Sequence, residues 1–186
     1  MKEKKSNNTS RIKIEKLLTW LAFLVSLGTL YIFFYQTSLM KKQQYANVLP
    51  YLSMGNTEKD GDYAFILANN GIGPAFIDEI NIHYNDSVYK DMDVNDFYVK
   101  VIVKEDTLFD HRKITHSTIR RGMLISEKEE RLMLRLSSEA DNFKQKHKQL
   151  REWLNNKIKI EIKYSSVYKE AWKIKYPSND IPIKIN

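Results

Sequence analysis

The chain reads as mainly β with inserted helices: an N-terminal transmembrane helix followed by an antiparallel immunoglobulin-like β-sandwich. Three observations predict this. Leu17 to Tyr35 is a run of nineteen residues without a charge. After Pro50 the chain breaks into short apolar or alternating segments separated by turn signals. The best helical pattern beyond the apolar run, Ser138 to Asn155, stands between two strand patterns and so reads as an insertion.

The apolar run comes first. At about 1.5 Å per residue it covers most of a hydrocarbon core of about 30 Å. A cleaved signal peptide has an apolar region of about 7–15 residues and a small-residue cleavage site. Here the run ends in Ile32, Phe33, Phe34 and Tyr35, and Gln36 to Met40 offers no such site. Trp20 near one end and Tyr31 and Tyr35 near the other suit the two membrane interfaces. The flank before the run holds Lys2, Lys4, Lys5, Arg11, Lys13 and Lys16, against Glu3 and Glu15. The flank after it holds Lys41 and Lys42. Positive charge is retained inside, which predicts an inner- or cytoplasmic-membrane protein with residues 1–16 as a cytoplasmic tail and the C-terminal part extracytoplasmic. Met1 to Ser10 is polar and charged enough to be disordered. Ala22, Ser26 and Thr29 lie near one helical face beside Gly28, a pattern that lets two such helices pack. A homo-oligomer is therefore an open alternative.

Composition narrows the function. Of the net charge of +7, +4 lies in residues 1–16. The basicity is partly a topology signal, so nucleic acid is not an expected partner. With no cysteine there is no disulfide, thiol catalysis or thiolate zinc site.

The elements follow in order. Residues 36–49 extend the helix as a stalk that Pro50 ends. Residues 50–186 are the sandwich. Tyr51 to Met54 is a candidate strand, and Gly55 to Gly61 a polar loop. Asp62 to Asn69 is apolar on both faces, as a central strand would be. Asn69 to Pro74 is a dense turn whose Gly and Asn residues supply positive φ. Ala75 to Tyr84 is a strand, Asn85-Asp86 a turn, and Ser87 to Tyr89 a short strand. Asp93 to Glu105 fits a helix capped by Asp93, although Val99, Val101 and Val103 alternate like a strand. Ile114 to Arg121 and Met123 to Ile125 are weak strands. Leu132, Leu134 and Leu136 form one face of a clearer strand. Ser138 caps the next helix, which carries Phe143, His147, Leu150, Trp153 and Leu154 on one side. Lys157 to Tyr164 and Trp172 to Tyr176 alternate cleanly and are joined by a hairpin loop, Ser165 to Ala171. Pro177 and Pro182 loosen the tail.

Three pieces carry a resemblance: NNGIGPAFI at 69–77, GMLISEKEERLML at 122–134 and IEIKYSSVYKEAW at 160–172. They resemble the pattern of uncharacterised bacterial single-span membrane proteins with an extracytoplasmic immunoglobulin-like sandwich. The resemblance spans most of residues 50–176 and implies fold and topology only. Lys169 departs from it, standing where that pattern has glycine, and Glu127 lacks the preceding Pro-Gly.

No motif points to catalysis. There is no G-x-S-x-G, P-loop or dinucleotide fingerprint, and no H-E-x-x-H. No catalytic residue, metal ligand or cofactor is expected. An envelope enzyme or metal-dependent protein would need Asp91, Asp93, His111 and His116 to converge. By elimination the function is binding or assembly at the membrane, with the bilayer and a protein as partners. The candidate surfaces are Asn70, Gly71, Ile72, Gly73 and Pro74; Lys144, Lys148 and Arg151; and Ser166 and Tyr168.

Overall fold

The computed structural model describes residues 6–105, 114–115, 117–178 and 181–185. The chain divides into two compact units, Met1–Ala46 and Asn47–Asn186.

The first unit is one helix, α1, Ser6–Ala46. It is long and apolar enough to cross a membrane. Every residue from Leu17 to Tyr35 is exposed, so the apolar side chains cover all sides of the helix. Side-chain hydroxyls that would compete for partners are satisfied within it: Thr29 Oγ1 donates to the Val25 carbonyl at 2.8 Å, and Thr37 to Phe33 at 2.9 Å. The helix already holds Ser6 to Ser10, where composition predicted disorder. Once the apolar segment is helical, each added residue gains a hydrogen bond without a new nucleus. Past the apolar run α1 continues unbroken to Ala46, and Asn47 and Val48 form a turn.

The second unit is an antiparallel domain of two sheets. Among the described residues it has ten strands. One sheet has the order β1 (Leu52–Lys59), β2 (Asp62–Asn69), β7 (Glu130–Leu136), β5 (Ile114–Thr115). The other runs β10 (Ile183–Ile185), β9 (Ala171–Tyr176), β8 (Ile158–Ser165), β3 (Ala75–Tyr84), β4 (Ser87–Lys90), with β6 (Leu124–Ile125) also paired to β3. Their facing side chains share one core. The Phe65 and Tyr176 rings lie 4.6 Å apart across it, and Leu52 N donates to Tyr164 Oη at 3.3 Å.

Several elements differ from the sequence expectation. β1 does not stop at Met54. It pairs along its whole length with β2, and only Asp60 and Gly61 turn. Both have positive φ, as a two-residue type I′ hairpin needs. The polar residues 55–59 are a strand because β1 is an edge, where one side chain in two faces water. Asn85 and Asp86 make the second such turn, as expected.

β7 also departs from simple alternation. Leu134 pairs with Phe65 and Leu132 with Ile66, which leaves Met133 as the extra residue of a bulge. The bulge turns Met133 into the core and leaves Leu132 only half-buried. A similar bulge at Asp78 lets Ile77 and Ile80, three apart, both face inward.

Residues 93–105 are helical, but not as one regular helix. A short α2 (Val94–Phe97) leads into a π-helical turn (Tyr98–Ile102) and then α3 (Val103–Glu105). The wider turn buries Val94, Phe97, Tyr98 and Ile102 together. Asp93 caps α2, accepting from Asn95 N at 2.7 Å, and its other oxygen accepts from Ile119 N. That second bond helps hold 117–121 as a loop, so the strand expected over 114–121 is confined to two residues. The helix expected from Ser138 begins at Phe143, as α4 (Phe143–Asn156). Ser138 N donates instead to Asp62 Oδ1 at 2.6 Å, which fixes the preceding turn. Asn142, with φ of 57°, takes the N-cap position. Within the tail, Ile183 to Ile185 add an edge strand to β9.

Candidate functional site

Strand direction sorts the three candidate surfaces into two ends. β2 and β8 run toward one end, and β3 and β7 run away from it. The loops 69–74 and 166–170 therefore lie together at that end, with residues 47–51 and 126–129. α4 joins the far end of β7 to the start of β8 and lies at the opposite end, about 25 Å away along a strand of eight residues.

The loop end is built around a residue absent from the candidate set. Asn69 is 1 % exposed. Its Oδ1 accepts from Tyr51 N at 3.1 Å and Gly71 N at 3.0 Å. Its Nδ2 donates to the carbonyls of Gly73 (2.9 Å), Ile125 (3.2 Å) and Ser126 (3.1 Å). One amide thus ties together three chain segments. The neighbouring glycines serve a different purpose from the one expected. Neither Gly71 nor Gly73 has positive φ. A Cβ on Gly73 would lie 2.1 Å from the Val48 carbonyl oxygen, and one on Gly71 2.4 Å from that of Leu49. They are glycines because residues 48–51 pass directly over them.

This packing decides which candidates face solvent. Gly71 and Gly73 are buried, and Pro74 is half-buried. Ser166 is 3 % exposed; its Oγ accepts from Tyr168 N at 3.2 Å, and its N–H donates to the Glu170 carbonyl at 2.9 Å. It shapes the hairpin loop and presents nothing. Asn70, Ile72, Val167 and Tyr168 are exposed and form the outer surface, with Leu49 and Tyr51 beside them. Sequence patterning missed Val167, whose place in the loop gives it no partner strand to alternate against. Lys169 has φ of 65°, a left-handed conformation that favours glycine.

The helix end is polar and basic. Leu150, Trp153 and Leu154 bury the inner face of α4, with Trp153 stacked on Phe97 at 6.0 Å. Lys144, Lys148 and Arg151 are exposed on the outer side. Below Arg151 a depression of about 520 Å³ is lined by Met54, Gly55 and Asn56 of β1, Arg151 and Asn155 of α4, Tyr176 at the end of β9, and Pro177 and Ser178 beyond it. Its floor is a hydrogen-bonded chain: Asn56 Nδ2 donates to Tyr176 Oη at 2.8 Å, and Tyr176 Oη donates to Asn155 Oδ1 at 2.6 Å. Burial raises the Tyr176 hydroxyl above the ordinary tyrosine range, so it stays a donor. Nearby, the Tyr63 hydroxyl is buried without a partner, and burial pushes it higher still. The Tyr63 ring lies 4.5 Å from that of His147. His147 Nε2 is 3.6 Å from Glu58 Oε1.

Asp91, Asp93 and their neighbour Asp96 are engaged separately. Asp93 caps α2, Asp96 pairs with Lys100 at 2.7 Å, and Asp91 lies 3.8 Å from Arg121. His111 and His116 lie outside the described residues. Among the described residues no metal-ligand cluster is formed. Compared with known proteins, the chain matches no family model, no curated protein and no solved structure.

Proposed function

We propose that this protein is a single-pass, membrane-anchored binding module. In this reading α1 crosses the inner or cytoplasmic membrane with its basic flank in the cytoplasm. Residues 47–186 then form an immunoglobulin-like β-sandwich outside. The strand orders support the sandwich: β1-β2-β7-β5 corresponds to A-B-E-D, and β4-β3-β8-β9 to C′-C-F-G. The bacterial single-span resemblance of residues 69–77, 122–134 and 160–172 points the same way.

One observation carries the binding role. The loops 69–74 and 166–170 are the B–C and F–G connections of that order, and they meet at one end with Ile72, Val167 and Tyr168 exposed. In variable domains those same connections recognise ligands on a rigid scaffold. The partner is a protein at the membrane, met at the high effective concentration that anchoring provides.

In-cell photo-crosslinking from positions 72, 148 and 168 tests this. The expected result is one protein captured from both 72 and 168 but not from 148. Only self-crosslinks would replace the reading with a homo-oligomeric envelope component, in which the Ala22, Ser26 and Thr29 face joins the helices. Capture of cytoplasmic proteins would overturn the topology.

A further inference from the structure

We propose that the α4 end of the domain binds a linear acidic polysaccharide, with Arg151 as its central charge anchor. This deepens the binding-module reading by giving the end opposite the loops a ligand class. Lys144, Lys148, Arg151 and Asn155 fall within about 60° of one another around the helix axis and span about 17 Å along it. They form a track whose cations recur about every 4.5–6 Å, the scale of repeating charges on an extended polymer. Among the described residues the Arg151 guanidinium has no carboxylate partner. Glu152 is the only acid on the helix, and Glu58 is the acid facing it from β1.

The track leads into the depression of about 520 Å³, and the lining there decides the polymer class. The Asn155 Oδ1 accepts from Tyr176, and among the described residues its Nδ2 has no partner. Asn56 is fixed by the same hydroxyl. Fixed amides beside a guanidinium suit sugar hydroxyls next to an acidic group. Single-stranded nucleic acid would need exposed aromatic platforms for base stacking. The exposed residues of α4 are Lys144, Gln145, Lys148, Arg151, Glu152, Asn155 and Asn156, none of them aromatic.

The test uses the full chain in nanodiscs of zwitterionic lipid, titrated against a fluorescent polygalacturonate oligomer. The expected affinity falls with salt along a log–log slope of about −2, three charges at about −0.7 each. Arg151→Gln weakens binding at least tenfold. Asn155→Asp keeps the acceptor for Tyr176, adds a repelling charge and weakens it similarly. Lys146→Gln removes the same charge from the other side of the helix and changes binding less than twofold. Unchanged thermal unfolding of each variant separates lost binding from lost fold. Absent binding, or an equal loss in Lys146→Gln, would overturn the proposal, and equal or tighter binding of a single-stranded DNA oligomer would overturn the polymer class. Crosslinking from positions 72 and 168 reads the opposite end, so failure here leaves the binding-module reading standing.

Discussion

Asn69→Ala is the most informative single change. The side chain makes five hydrogen bonds, but its two amide hydrogens serve three carbonyls, so four bonds count fully. At about 1 kcal/mol net for each, the loss is about 4 kcal/mol, because the partners at Gly71, Gly73 and Ile125 are buried and water does not replace the amide there. For a domain of this size that corresponds to a fall in Tm of roughly 12 °C. The internal control is Asn70→Ala. Asn70 is exposed, and its side chain makes one hydrogen bond, to Ser53 Oγ at 2.8 Å, so its loss is about 0.5 kcal/mol. Urea denaturation of the full chain in detergent micelles, followed by near-ultraviolet circular dichroism, measures both. If the two variants unfold within about 1 kcal/mol of each other, the loop end is not organised by Asn69.

Three further outcomes are expected. Gly73→Ala forces a Cβ to 2.1 Å from the Val48 carbonyl and destabilises by about 2–3 kcal/mol in the same denaturation, whereas Gly55→Ala, with nothing within 4 Å, stays within about 0.5 kcal/mol of the parent. Lys169→Gly is neutral or stabilising because φ there is 65°, and Lys169→Val costs about 1–2 kcal/mol at the urea midpoint. The Asp62 carboxyl is held below the usual carboxylate range, first by the Ser138 N–H, then by the Ser138 hydroxyl and Arg135. Its folded pKa is depressed, so the stability it adds is present above pH 4 or so and is lost as pH falls through the folded value. Urea midpoints measured from pH 6 downward therefore fall more steeply in the parent than in Asp62→Asn.

The local pattern made some elements legible. Ile158, Ile160, Ile162 and Tyr164 alternate with polar residues, and β8 buries those four side chains. Asp93 stands before an apolar helical face and caps α2. Other elements were hidden because their determinants are not local. β1 reads as a loop over Gly55 to Lys59, and its strand character comes from the ladder offered by β2. The Leu132, Leu134 and Leu136 stripe looks regular, but in pairing with β2 the strand bulges at Met133. Ser138 has the chemistry of a helix cap and is drawn away by Asp62, seventy-six residues earlier.

The sequence by itself determined the uncharged helix and the antiparallel, two-sheet character of the rest, because both depend on hydropathy period and turn chemistry. It also marked 69–74 and 165–171 as loops and 144–151 as a basic helix face. Only the tertiary structure decided which of their residues meet solvent. Asn69 and Asn70 are identical in type and adjacent, yet one is buried among backbone groups from three segments and the other is exposed. That difference arises from residues 48–51 and 125–126 closing over one side of the turn. Contacts so distant along the chain leave no periodic mark on the residues they bury.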